Sequence, residues 1–348
     1  MKPFSLKSSL RPHLQTVRPY SSARHEFSGK ASIYLDANEN PFQGKFNRYP
    51  DPNQQDLKSI LAKQKGVEEN RIFIGNGSDE AIDLLIRAFC EPGIDHIITT
   101  SPTYGMYKVC AAINNVDNLE IPLDSNFNPS VQEILKAVNE HTKIIFLCSP
   151  NNPTGNSISA EILKALLEKS GILVVVDEAY IDFSEKESSI NLKGYPNLVV
   201  LQTLSKAYGL AGLRIGLAIG QDEIISVLTR IKPPYNISSA SQEEAIKILK
   251  TGKQTDHTSK IIREREKLIN DLASVSSVRK IFPSEANFLL VRFDDPKAIY
   301  QYLKRNGIIV RDRSEEINCT GCLRITVGTP EENQELISTL KSYQPITV

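Results

Sequence analysis

The chain has 348 residues, of which 40% are hydrophobic and 24% charged, an ordinary soluble composition with room for about two domains. Lys and Arg total 41 against 41 Asp and Glu, so the bulk charge points neither to nucleic acid nor to an anionic membrane surface. No apolar run reaches the ~20 residues that span a bilayer.

The N-terminus, MKPFSLKSSLRPHLQ, lacks the apolar core of a secretory signal. Five cysteines, an odd number, read as free thiols in a reducing cytoplasm. From residue 71 onward, apolar runs alternate with helical patterns. The runs are RIFIG (71–75), HIITT (96–100), TKIIFLC (142–148), GILVVVD (171–177), NLVVLQ (197–202) and IGLAIG (215–220). Their hydrophobicity is continuous rather than alternating, which predicts a mostly parallel sheet covered on both faces. Helices are predicted between them at 79–90 and 159–170, and Ser130 with Glu133 predicts a capping box opening another. This is an α/β fold with a large domain over 35–245. Beyond Pro233-Pro234 the character changes to charged amphipathic helices. Strands are then predicted at 287–293, 307–312 and 322–328, and a last helix is capped by Thr329 and Glu332. Residues 246–348 thus read as a smaller α+β domain, and residues 1–34 as an irregular arm.

Ligands of open α/β sheets sit at the carboxyl ends of the strands. The first strand ends in GNGSDE, where Ser78 and Asp79 open a helix after two glycines, a plausible anion turn but not a dinucleotide fingerprint. Tyr104 follows the second strand and could stack on a flat ligand. SPNNPTG (149–155) presents Asn152 in a proline-fixed turn. Asp177 ends the most buried run, where a carboxylate needs a partner, and Tyr180 lies three residues on. Then comes TLSKAYGLAGLRIG (203–216): Thr203, Ser205, Lys206 and Arg214. A lysine at a strand mouth is paired or has a lowered pKa, and the second case makes it a nucleophile for Schiff-base chemistry. Ser205 and Arg214 suit a phosphate. CTGC (319–322) has half the spacing of a zinc site. No second pair is visible and a strand follows, so no metal site is expected.

The ordered set of anion turn, stacking tyrosine, NPTG, DEAY and SKAYGLAGLRIG resembles the fold-type I pyridoxal-phosphate-dependent aminotransferases over nearly the whole chain. RPYSSAR (18–24), YLDANENPF (34–42), RYPDP (48–52), VRDRS (310–314) and GCLRITVGTPEEN (321–333) resemble the histidinol-phosphate branch. The resemblance implies that Lys206 carries pyridoxal 5'-phosphate covalently. Asp177 pairs with the pyridine nitrogen, Asn152 and Tyr180 bond the ring oxygen, and Tyr104 stacks on the ring. Ser78, Asp79, Ser205 and Arg214 bind the phosphate, Thr203 also contacts the cofactor, and Tyr49 reaches the cofactor of the other subunit of a homodimer. Tyr20 on the N-terminal arm, Asn152, Arg311 and Arg324 contact substrate. The implied reaction is ping-pong transfer between histidinol phosphate and 2-oxoglutarate, in histidine biosynthesis in the cytoplasm, with no nucleic-acid or membrane partner. An aromatic amino-acid aminotransferase and a phospho-amino-acid decarboxylase would share the cofactor residues; RPYSSAR and the two arginines favour histidinol phosphate. A regulator without chemistry would be expected to lack Lys206 or Asp177, and both are present.

Overall fold

The computed structural model describes residues 3–18, 32–42 and 44–344. Seven strands form a sheet in the order β1-β7-β6-β5-β4-β2-β3. They are β1 (Ile72–Asn76), β2 (His96–Ser101), β3 (Asp117–Pro122), β4 (Thr142–Cys148), β5 (Leu173–Asp177), β6 (Leu198–Thr203) and β7 (Ile215–Ile219). Strands β2 to β6 pair in parallel, while β7 runs antiparallel to both β1 and β6. The reversed strand decides the site: where its neighbours end, β7 begins, so the residue before it lands on the same edge.

Helices α1 (Gln55–Lys65), α2 (Ser78–Phe89), α3 (Met106–Ile113), α4 (Val131–Ala137), α5 (Ala160–Lys169), α6 (Asp222–Ile231) and α7 (Ser239–Leu249) cover the sheet. Successive strand residues serve opposite layers, as the two-residue period of a strand requires. Ile97, Ile144 and Val175 pack with α2 and α6, whereas Ile98, Ile145 and Val176 pack with α4 and α5. Every residue of β5, β6 and β7 is buried, which is why their sequences do not alternate.

The second sheet has the order β10-β11-β9-β8 and is antiparallel. Its strands are β8 (Val278–Ile281), β9 (Phe288–Phe293), β10 (Arg311–Asp312) and β11 (Cys322–Thr326). Leu289, Val291, Leu323 and Ile325 meet Leu272 of α8 (Gln254–Ala273), Leu303 of α9 (Pro296–Arg305) and Leu336 of α10 (Pro330–Lys341). The Thr329/Glu332 box of α10 is complete; at α4, Ser130 accepts the Glu133 N–H. Helix α7 spans residue 245, yet its Ala245 and Leu249 pack with β1 and β7 of the first sheet. That packing therefore continues to residue 249.

The strand predicted over 307–312 shrinks to two residues. The chain leaves α9 through Gly307 at φ 78°, with Gly307 N–H donating to Lys304 O and Ile308 N–H to Leu303 O. This helix-ending turn occupies the first residues of the run. Cys319 and Cys322 are free and buried beside Leu123, Phe127, Phe282 and Leu290. Among the described residues no helix is long and apolar enough to cross a membrane.

Candidate active site

The carboxyl edge of the large sheet opens into a pocket lined by Ser78, Asp79, Tyr104, Asn152, Asp177, Tyr180, Thr203, Ser205, Lys206 and Arg214, together with Gly77, Cys148 and Ala179. One side is built for an anion. Helix α2 is capped by Gly77, which offers no side-chain oxygen to the first helical N–H groups. Those donors and the helix dipole are left for a ligand. Gly77 has φ 76° and its N–H donates to Arg214 O at 2.8 Å, tying the turn to the start of β7. Arg214 itself is left-handed at φ 55°; its Nη1 donates to Ala211 O at 3.3 Å and its Nη2 lies 3.8 Å from Asp79 Oδ2. Thr203 Oγ1 accepts the Ser205 N–H at 3.1 Å and donates to Ile215 O at 3.2 Å, fixing the turn that carries Ser205 and Lys206.

This cradle depends on a glycine that the motif reading passed over. A Cβ on Gly216 would stand 2.0 Å from Ser78 N and 2.2 Å from Gly77 C, backbone atoms that cannot move aside without displacing the turn. Gly216→Ala is expected to cost about 3 kcal/mol or more in stability, and to weaken binding of an anion at this turn more than tenfold. Urea unfolding and phosphate titration check both.

A second side is built around Asp177, which is 2% exposed. Its Oδ2 accepts the Tyr107 hydroxyl at 2.7 Å and its Oδ1 the Ala179 N–H at 3.0 Å. Burial pushes its pKa up to about 6, against the pull of those two hydrogen bonds. Tyr104 donates to Asp79 Oδ1 at 3.0 Å, which pins its ring over the pocket from the second strand's end. Asn152 donates from Nδ2 to Tyr180 Oη at 3.4 Å, and its Oδ1 accepts from Arg324 Nη1. Burial raises the Tyr180 phenol well above its ordinary range.

Lys206 sits in the hairpin between β6 and β7. Its Nζ lies 5.6 Å from the centroid of the Tyr180 ring. Solvent reaches the side chain through the pocket's mouth, but the walls lower its pKa, first by desolvation and then through the positive charge of Arg324, with Arg214 adding less. Burial and the two guanidiniums ease loss of the proton that an amine must shed to act as a nucleophile, and Asp177 opposes them.

The small sheet closes the other side. Arg324 on β11 pairs in register with Arg311 on β10. The Arg324 guanidinium lies 5.3 Å from the Phe288 ring, which meets Tyr180 edge-on at 5.1 Å. Its pKa is lowered chiefly by burial, with Arg313 and Arg311 adding positive charge. Among the described residues Arg311 is exposed and makes no ion pair with Asp312 or Glu315. A third cation, Arg313, was not singled out from sequence: its Nη1 pairs with Glu316 Oε1 at 2.6 Å. The VRDRS stretch held both arginines, but only the strand pairing shows which lie beside Arg324.

Of the expected residues, Arg324 reaches the pocket through Asn152, while Arg311 and Tyr49 do not line it. Tyr49 stacks on Tyr235 at 4.5 Å and is 50% exposed; it lines a separate hollow with Arg48 and Asn236. Tyr20 lies outside the described residues. Tyr107 and Cys148 touch the site and were missed; the clue for Tyr107 was its place in SPTYGMY three residues after Tyr104, whose ring it meets edge-on at 5.6 Å.

Residues 32–340 match the family described as aminotransferase class I and II. The chain belongs to that family. It is 51% identical over 345 residues to histidinol-phosphate aminotransferase of Flavobacterium psychrophilum, covering 98% of this chain and 100% of that protein. It is 52% identical to histidinol-phosphate aminotransferase of Flavobacterium johnsoniae, covering 98% and 99%. Among solved structures it is similar to histidinol-phosphate aminotransferase from Sinorhizobium meliloti in complex with pyridoxal 5'-phosphate, with a TM-score of 0.77, 26% identity and coverage of 88% and 89%.

Proposed function

We propose that the enzyme transfers the amino group of L-histidinol phosphate to 2-oxoglutarate, using pyridoxal 5'-phosphate. Near-full-length identity of about half to histidinol-phosphate aminotransferases carries the reaction. The donor set of the pocket supports the cofactor. Uncapped N–H groups at α2 with Ser205 and Arg214 suit its phosphate, the buried Asp177 carboxylate its ring nitrogen, Asn152 and Tyr180 its ring oxygen, and Lys206 its aldehyde. When bound, the group supplies an aldehyde that condenses with amines and a ring that accepts electrons.

The chain's own residues do the rest. Asp177 holds a proton at the ring nitrogen. Lys206 would hold the group's aldehyde carbon and, as a free amine, would take the donor's α-proton. Ser78, Ser205 and Arg214 would hold the cofactor's phosphate. Arg324, with Arg311, receives the donor's phosphate in one half-reaction and the acceptor's carboxylate in the other, since a guanidinium fork matches both.

Homodimerisation fits the remaining surface. Leu35, Phe42, Phe46 and Tyr49 are 90%, 92%, 60% and 50% exposed, more apolar area than an isolated chain comfortably shows to water. A second copy covering this face would bring Tyr49 to the partner's pocket. We place the enzyme in the cytoplasm, where five free, buried thiols stay reduced, and we divide the chain into an arm, a large domain and a small domain beginning near residue 250.

The test is spectral titration of the purified protein. Histidinol phosphate should bleach the visible band of the bound cofactor and 2-oxoglutarate should restore it; a band indifferent to histidinol phosphate but responsive to phenylalanine would sink the assignment. Arg324→Gln should lower kcat/KM about 100-fold or more for both substrates, the scale of losing a charge-assisted bidentate contact. Steady-state kinetics with each substrate varied in turn measures it.

A further inference from the structure

Tyr107 belongs to no expected function, yet it is the most enclosed polar side chain touching the pocket. It projects from α3 into the core with 0% exposure and stacks on Phe146 of β4 at 4.9 Å. Its ring is therefore held rigidly from below, and the hydroxyl reaches Asp177 Oδ2 at 2.7 Å. We infer that Tyr107 is a positioning residue that holds Asp177 as an oriented carboxylate, its fixed O–H donating to Oδ2 while the Ala179 N–H holds Oδ1.

The reasoning is electrostatic. A carboxylate at the end of a fully buried strand has lost its water, and burial favours its neutral form. Its other charged or titratable neighbours are Asp79, Glu178, Cys148, Tyr104, Tyr180 and Lys206. Asp79 and Glu178 oppose ionisation. Only Lys206 offers positive charge among them, and its own charge is disfavoured by burial. The two fixed donors are thus what favours the anion, and Tyr107 is the stronger of them. Tyr107 cannot easily act as an acid here, because burial and the adjacent Asp177 raise its pKa well above its ordinary value. A donor that keeps its proton is what a permanent clamp requires. The consequence for catalysis rests on the reading that Asp177 faces the cofactor's ring nitrogen: an anionic Asp177 leaves the shared proton on the ring, where it draws electrons.

The experiment reads Asp177 directly. The full chain, labelled with carbon-13 at aspartate carboxyls and freed of cofactor, is titrated by NMR, with the Asp177 signal identified by its loss in Asp177→Asn. Tyr107→Phe should raise the midpoint by about one unit or more, the scale of a hydrogen bond to a charged group. Site-specific 3-fluorotyrosine at 107, a stronger donor of nearly the same shape, should lower it. Opposite shifts support the proposal, and the fluorinated protein decides it alone if Tyr107→Phe does not fold. An unmoved midpoint with merely lowered stability overturns it, leaving Tyr107 a packing residue. Reloading with nitrogen-15-labelled pyridoxal phosphate separates the two layers. Tyr107→Phe should move the ring signal toward the unprotonated form and raise the cofactor dissociation constant about tenfold. If Asp177→Asn leaves the ring protonated, the cofactor reading fails whatever Tyr107 does to the aspartate.

Discussion

Lys206→Ala should abolish turnover, with kcat falling by at least about 10⁴-fold, because one amine serves as both covalent anchor and proton carrier. The structure explains why no neighbour can substitute. Tyr180 is held protonated by burial, and Asp177 lies at the base of the pocket with both oxygens engaged. Lys206→Arg should be as inactive as the alanine variant, since a guanidinium does not give up its proton at accessible pH; the comparison separates loss of charge from loss of a neutral amine. The cradle of α2, Ser205 and Arg214 is untouched by either change, so cofactor should still bind, now without a covalent link. Borohydride reduction followed by intact mass measurement checks this: the native chain gains a permanent cofactor adduct, while Lys206→Ala does not. Thermal unfolding of the cofactor-free variant should be little changed, because burial already disfavours the Lys206 charge and its removal costs only a weak contact with the Tyr180 ring. An active Lys206→Ala enzyme would remove the basis for the proposed chemistry.

The large sheet was legible because its strands are buried on both faces, and burial writes itself into composition. Strand β3 was not: DNLEIP lies at the sheet's edge, with four of its six residues exposed, so no apolar run marks it. The reversal of β7 was equally invisible, since IGLAIG is as apolar as its parallel neighbours. That reversal carries Arg214 to the phosphate side and brings Gly216 against Ser78, and it is a property of topology rather than of any short motif. Most of the pocket's polar residues could be named because they end or follow a parallel strand, where open α/β sheets place their ligands. Tyr107 and Cys148 escaped for the opposite reason. One is in a helix, and the other, though the last residue of β4, is of a type that usually means core packing. Tyr49 and Arg313 show a further limit: what they approach depends on a surface or a strand register formed by residues distant in sequence.

Asp177→Asn should leave a folded protein whose stability no longer falls between pH 4 and pH 6 and whose turnover is reduced about 10³-fold. The sign follows from proton binding. An unfolded chain titrates this carboxyl near 3.8, the folded chain without cofactor near 6. Between those values the folded state binds more protons than the unfolded one, so raising the pH favours unfolding. The contribution is complete below the lower value and is lost as pH passes through the upper one. A displacement of about two units corresponds to about 3 kcal/mol, read by urea unfolding of the cofactor-free chain at several pH values. Asparagine has no such proton, and its profile over that window should be flatter by that amount. Cofactor binding reverses the slope, because an ionised Asp177 facing a protonated ring nitrogen is paired rather than stranded. Affinity for the cofactor should therefore strengthen as pH rises through about 6 in the native chain and lose that dependence in Asp177→Asn. The energetic burden of a buried acid is thus the same property that makes it selective for a ring bearing a proton: the site is least comfortable, at working pH, when nothing cationic is in front of it.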